Sequence, residues 1–421
     1  MAKATSKRQE VKTAAEPVKA TGTNLFAWLD GLEAKQAILL ICLLSCLAYA
    51  NSLGGDFVFD DTEQIVENPD ARSWENLGRA FTTHVWQFRD RPGALRAPAP
   101  LPYYRPIFTV MLTVEYQLFG LWPQGWHIVS LLLHILCSVG VYYVLLLMSG
   151  KKRVAAIAAA LFAVYSVHVE SVSWISGMTD PLFGVFFLAS VCFYLKHRKS
   201  NKRSDFVLSL LLFALAAFSK ETALSLVVLI FTYETVESVG EKSSWLARGL
   251  RAARRAAPYA GVAVLYLIPR YLVLGGLTWK NPQAHQGPFT DTLLTLPWVI
   301  LSYCAHLLWP VSLSVAYATS FVTSITDARF LAPLAVIVAA LGLLFVYRNR
   351  ISREVWHALA LIFVPLLPVL DLRQLSEHYL IFDRYLYLSV AGWCHLIALA
   401  LAKLAQRQEA RALQWSSAIT V

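Results

Sequence analysis

The sequence predicts an all-α polytopic membrane protein, a single bundle of about ten transmembrane helices (range ten to twelve) with a long helical first external loop. Three observations carry this. Of the 421 residues, 57% are hydrophobic and only 15% charged, whereas a soluble chain of this size carries about 25% charge. Uncharged stretches of membrane-spanning length recur, such as Gln36 to Gly55 and Leu121 to Gly150, so the bilayer is the solvent for most residues. Lys and Arg cluster between the apolar segments, as they do in cytoplasmic loops, which resist translocation.

The elements follow in order. Residues 1–35 are polar and basic and read as a disordered cytoplasmic tail. The apolar stretch after them starts too late and runs too long for a cleaved signal, so 36–53 is a retained signal-anchor helix. Basic groups at 151–153, 196–203, 242–255, 348–353 and 403–411, with those in the tail, hold 25 of the 37 Lys and Arg. Spans between these anchors fall at 126–148, 154–168, 180–196, 204–219, 221–237, 256–274, 328–347, 354–371 and 384–404. The bundle is thus 36–404, with 405–421 a second cytoplasmic tail. The stretch 292–326 has no Asp, Glu, Lys or Arg, but one crossing there would break the parity of the basic loops. It reads as a re-entrant or interfacial segment, with two short crossings as the alternative. The net charge of +10 is explained by loop placement, so no nucleic-acid partner is expected. All six cysteines sit in apolar segments, without disulfide or zinc spacing.

Functional groups concentrate on the outer face. The loop 54–125 is far longer than the others and rich in Phe, Trp and Tyr, which argues for order; 107–119 within it reads as a surface helix. Asp60 and Asp61 follow the first span among aromatics. Such a pair can bind a cation or supply a general base, or be a solvated acid pair. His168, Glu170 and Asp180 lie between the third and fourth spans and read as cavity groups or as interfacial residues at helix ends. Lys220 and Glu221 interrupt apolar stretches too short to span alone, so they sit below the membrane surface as functional groups or an ion pair. Arg384, between Asp383 and Tyr385, can clamp a phosphate through its fixed donor geometry or snorkel in an aromatic belt; Arg105 is ambiguous in the same way.

The motifs together resemble a known family. Phe57-Val58-Phe59-Asp60-Asp61 with Ile65 and Asn68, Tyr104-Arg105-Pro106, and Gly125-Trp126-His127 with His134 are similar to motifs of the transmembrane and tetratricopeptide-repeat-containing O-mannosyltransferases. So are Phe162-Ala163-Val164, His168-Val169-Glu170-Ser171-Val172, Ser176-Gly177 with Asp180, Ser219-Lys220-Glu221, Asn281-Pro282 and Arg384-Tyr385-Leu386-Tyr387. The resemblance spans about 36–400 and implies a C-type membrane glycosyltransferase. Such an enzyme moves a sugar, here mannose, from a polyprenyl-phosphate donor to an acceptor hydroxyl on a protein or glycan, with inversion. It implies catalytic roles for Asp60 and Asp61 and donor-phosphate contacts for Arg384, Lys220 and Arg105. His168, Glu170, Asp180, Glu221, His127 and Tyr387 are expected along the cavity. Partners would be the lipid donor, the acceptor and membrane lipid. No cofactor is required, and a divalent cation stays open because an Asp pair alone is a poor metal signature.

Two departures stand out: Met178 occupies a position where the family carries arginine, and Tyr165-Ser166 replaces His-Pro. Tetratricopeptide repeats are not seen before Val421. A transporter or flippase and an inactive scaffold of the same fold are the rival readings. The absence of an Asn-x-Ser/Thr sequon favours a bacterial inner membrane over the endoplasmic reticulum.

Overall fold

The computed structural model describes residues 31–90, 103–276 and 285–419. Most of the expected N-terminal tail and the Asn281-Pro282 motif lie outside the described residues. The rest is helical: α1 (Ala34–Tyr49), α2 (Pro106–Phe119), α3 (Pro123–Ser149), α4 (Lys152–Ala163), α5 (Val169–Ser173), α6 (Thr179–Ser200), α7 (Arg203–Ser219), α8 (Ser225–Glu237), α9 (Trp245–Leu274), α10 (Phe289–Leu308), α11 (Ala328–Tyr347), α12 (Arg353–Phe363) and α13 (Ser389–Ile419).

Local chemistry sets many of the ends. Pro106 and Pro123 open α2 and α3, where a missing N–H costs nothing. Ser244, Asp327 and Ser352 cap α9, α11 and α12 with side-chain oxygens. Gly150, at φ 69°, closes α3 with its N–H on the Leu146 carbonyl, a left-handed stop that suits glycine.

Among the described residues seven helices are long and apolar enough to cross a membrane, or eight if α4 and the bent segment Ser166–Ser173, 47° off its axis, form one span. Ten were expected. Helices occur at all ten expected places, but α7, α8 and α12 have only 17, 13 and 11 residues. Lys220 separates α7 from α8, and a 3-10 turn at Leu367–Leu370 follows α12. The expected C-terminal tail from 405 instead continues α13 to Ile419.

The stretch 292–326 is an outward hairpin. Helix α10 is long enough to span, but the chain then returns beside it without helix: the Val322 N–H donates to Thr295 Oγ1 at 2.9 Å, and the Thr319 N–H to the His378 carbonyl at 2.8 Å. Two short crossings are thereby excluded, since an isolated extended segment cannot satisfy its backbone in lipid. Among the described residues the first loop is folded, mostly as 3-10 and π turns between Thr62 and Asp90, with α2 as its one long helix. Ile65, Trp86 and Phe88 of the loop pack with Phe108, Leu112 and Trp126 in an apolar cluster, which is why the aromatic content predicted order.

The bundle core is built on α3, α4, α6 and α13. Helices α6 and α7 form an antiparallel pair around Asn201 at φ 57°. At one end Lys151 reaches Glu354 at 2.8 Å, and Arg198 and Arg255 both reach buried Glu234. The basic loops thus gather opposite the first external loop.

Candidate functional site

The chain leaves α1 and turns sharply at Phe59, a bulky residue held at φ 50°. Such a conformation is unfavourable for a residue with a Cβ and persists only where the surroundings enforce it. Its consequence is that Asp60 and Asp61 diverge. Asp61 is fully buried; it accepts the Val58 N–H at 3.1 Å, and the Ser176 N–H and hydroxyl at 2.7 and 2.5 Å. It stitches the first loop to the Ile175–Met178 turn. Asp60 instead borders a cavity of about 300 Å³. Burial pushes both carboxyls above their ordinary values; Arg384 pulls Asp60 back, and the hydrogen bonds from Ser176 pull Asp61 back. The two acids expected to act together are thus placed apart: Asp60 borders the cavity, and Asp61 is held by Ser176 and Val58.

Arg105, Lys220, Glu221 and Arg384 also line this cavity. Each of the three expected cations already has a carboxylate. Arg105 holds Glu221 through Nε and Nη2 at 3.0 and 2.6 Å and stacks 4.3 Å above the Tyr103 ring. Lys220 donates to Asp180 at 2.6 Å, both being buried. Arg384 reaches Glu170 at 2.5 Å, and its backbone N–H reaches the other Glu170 oxygen at 2.8 Å. Asp383 is not the partner of Arg384. It accepts from Tyr317 at 2.8 Å and the Ser314 N–H at 3.1 Å, and lies 3.0 Å from His306 Nδ1.

Three expected cavity residues are elsewhere. His168 is buried in an aromatic nest, 4.4 Å from Phe162 and 4.6 Å from Tyr387 between ring centroids, with both nitrogens unpartnered. Tyr387 is buried beside it, its hydroxyl 2.9 Å from His134 Nδ1. His127 is buried under Gly55, where an added Cβ would lie 2.8 Å from the ring. All three are buried by the packing around them, which residue type alone does not reveal. Glu170 and Asp180 stand behind the wall, bound to its cations.

Tyr103, Trp174, Ser176 and Tyr385 line the cavity too, together with two groups that no motif singled out, Gln64 and Arg270. Gln64 Oε1 and Trp174 Nε1 are buried without hydrogen-bond partners. Arg270 donates to the Tyr266 hydroxyl at 3.3 Å and has no carboxylate partner among the described residues; Asp371, on the same wall, is bound to Arg373 at 2.6 Å. The available signal for Arg270 was an arginine near the outer end of an otherwise apolar span. Among the described residues no group of three or more His, Cys, Asp or Glu could hold a metal ion.

The departures also resolve. Met178 is fully buried among Ile65, Trp126 and Leu182, so that position faces an apolar core here and not the cavity. Tyr165 and Ser166 donate to the Leu307 and Pro310 carbonyls, fastening the α10 hairpin over the site.

The chain is similar to known proteins. The family described as dolichyl-phosphate-mannose-protein mannosyltransferase matches residues 100–269, a region holding Arg105, Glu170, Asp180, Lys220 and Glu221. The chain is 27% identical to Protein O-mannosyl-transferase F38B6.6 of Caenorhabditis elegans, over 87% of this chain and 51% of the relative. It is 26% identical to mouse TMTC3, over 91% and 45%, and 27% identical to human TMTC4, over 90% and 57%. The chain spans about half the length of the curated relatives it matches. No solved structure matches it.

Proposed function

We propose, from its similarity to the protein O-mannosyl-transferases, that this chain is a membrane glycosyltransferase that moves a sugar, mannose, from a polyprenyl-phosphate donor to an acceptor hydroxyl. The observation that carries this is Asp60, which has no hydrogen-bond partner among the described residues and borders a cavity whose wall also bears Arg105, Lys220, Arg270 and Arg384. Acid and cations are what the reaction needs on opposite sides of one carbon.

In this reading Asp60 takes the proton of the acceptor hydroxyl, whose oxygen attacks the anomeric carbon. The bond from that carbon to the phosphate oxygen breaks, its electron pair leaves with the polyprenyl phosphate, and displacement from the opposite face inverts the configuration. The wall cations stabilise the departing phosphate, so no strong general acid is required. Arg270 carries the direct contact best, because among the described residues its guanidinium bonds to no carboxylate, and Glu221, the acid it influences, is already held by Arg105. Sugar hydroxyls suit Trp174 Nε1 and Gln64 Oε1, buried groups that would otherwise lack partners. The acceptor is a protein hydroxyl, and the reaction lies on the outer face, periplasmic if the membrane is a bacterial inner membrane.

Purified protein with radiolabelled polyprenyl-phosphate mannose and a Ser/Thr-rich acceptor peptide tests the proposal. Label should pass to the peptide in the wild type and not in Asp60→Asn. Movement of the intact donor across a vesicle bilayer without peptide labelling would replace the enzyme with a flippase.

A further inference from the structure

At the end of the bundle opposite Asp60, helices α4, α12 and α13 leave a second cavity, of about 840 Å³. Lys151, Lys152 and Lys403 line it beside Arg153, which has a partner of its own. The carboxylate in its lining among the described residues is Glu354, which holds Lys151 at 2.8 Å, so an anion would draw on Lys152 and Lys403. Below these charges the wall turns apolar, with Val154, Leu396 and Leu399. On the same side of α13, His395 is fully buried with neither ring nitrogen hydrogen-bonded.

The placement of basic residues on this face follows from topology, but topology does not require them to converge on a cavity. Like charges held together repel, and an anion between them turns that cost into attraction. A charged rim over an apolar floor, between helices at the membrane boundary, matches an amphipathic anion better than a soluble one. We propose that this cavity binds the phosphate headgroup of an anionic membrane lipid of the inner leaflet, with its glycerol and upper chains against Leu396 and Leu399. The site is separate from the outer cavity, and the proposal does not depend on the transferase reading.

The test uses the full chain in detergent, with phosphatidylglycerol, phosphatidylcholine or inorganic phosphate added, read by native mass spectrometry and by melting temperature. Phosphatidylglycerol should be retained and should raise the melting temperature; phosphatidylcholine and inorganic phosphate should not. Each lysine removed should weaken retention about fivefold, so K152A/K403A should lose roughly 25-fold. If the double variant folds poorly, Lys403→Ala alone, on the exposed side of the cavity, gives the same reading at about fivefold. Equal retention of the two lipids, undiminished retention in the variants, or a full shift with inorganic phosphate alone would overturn the assignment.

Discussion

Glu170 holds Arg384 at two points, one carboxylate oxygen on the guanidinium at 2.5 Å and the other on the arginine's own N–H at 2.8 Å. The pair joins α5 to the turn that leads into α13, 214 residues apart. It also sets the side chain over Trp174, Phe382 and Tyr385. A cation so matched is first a structural element and only then a ligand. Glu170→Gln should therefore destabilise the protein by about 3–5 kcal/mol, the usual cost of stranding a buried charge. Arg384→Gln should cost a similar amount, and the double variant less than the sum of the two. Thermal denaturation of the three variants measures this coupling; additive losses would mean that the two groups do not depend on each other.

Arg270 should behave in the opposite way. With no carboxylate to strand, Arg270→Gln should leave the melting temperature nearly unchanged and raise the KM for the lipid donor, or lower kcat. A variant with wild-type donor kinetics would remove Arg270 from the phosphate contact.

The adjacent acids should separate just as cleanly. Loss of a general base costs about 10²–10⁴-fold in rate, so Asp60→Asn should lose transfer while keeping its melting temperature. Asp61→Asn weakens the acceptor for Ser176 and Val58 and should lower stability by about 1–3 kcal/mol. A reversed pattern, with Asp61→Asn inactive but fully stable, would exchange their roles.

Asp60 works as a base only when ionised, and burial raises its pKa above the ordinary carboxylate value. The rate should fall as pH drops through that raised value, so the acid limb of kcat/KM lies above pH 3.8, where an exposed aspartate would place it. A limb at or below that pH would contradict a buried base at this position.

His285 ties the start of α10 to the segment before α13. Burial opposes its protonation, but hydrogen bonds to Asp291 at 2.7 Å and Glu377 at 3.3 Å outweigh this and raise its pKa above 6.5. A raised folded pKa gives stability that is complete below 6.5 and is lost as pH rises through the folded value. Amide exchange in 289–327, corrected for its intrinsic pH dependence, should therefore show protection falling over that window. His285→Gln should remove the pH dependence.

Hydrophobic length and the spacing of basic loops were enough to read a multi-pass helical protein, because both follow from local solvation. Hydropathy alone did not show how short several helices are, where Lys220 separates α7 from α8 and a 3-10 turn follows α12. Motifs found the charged residues of the site, yet they could not tell which face of a helix each one presents. Tertiary packing decided that. It turned Asp61 into a brace for Ser176, sank His127, His168 and Tyr387 into the core, and matched Arg105, Lys220 and Arg384 with carboxylates distant in sequence. It also left Asp60 and Arg270 facing the same cavity, because a charge in a low-dielectric interior is silent or available according to the partner that the fold brings to it, and that partner is not encoded nearby.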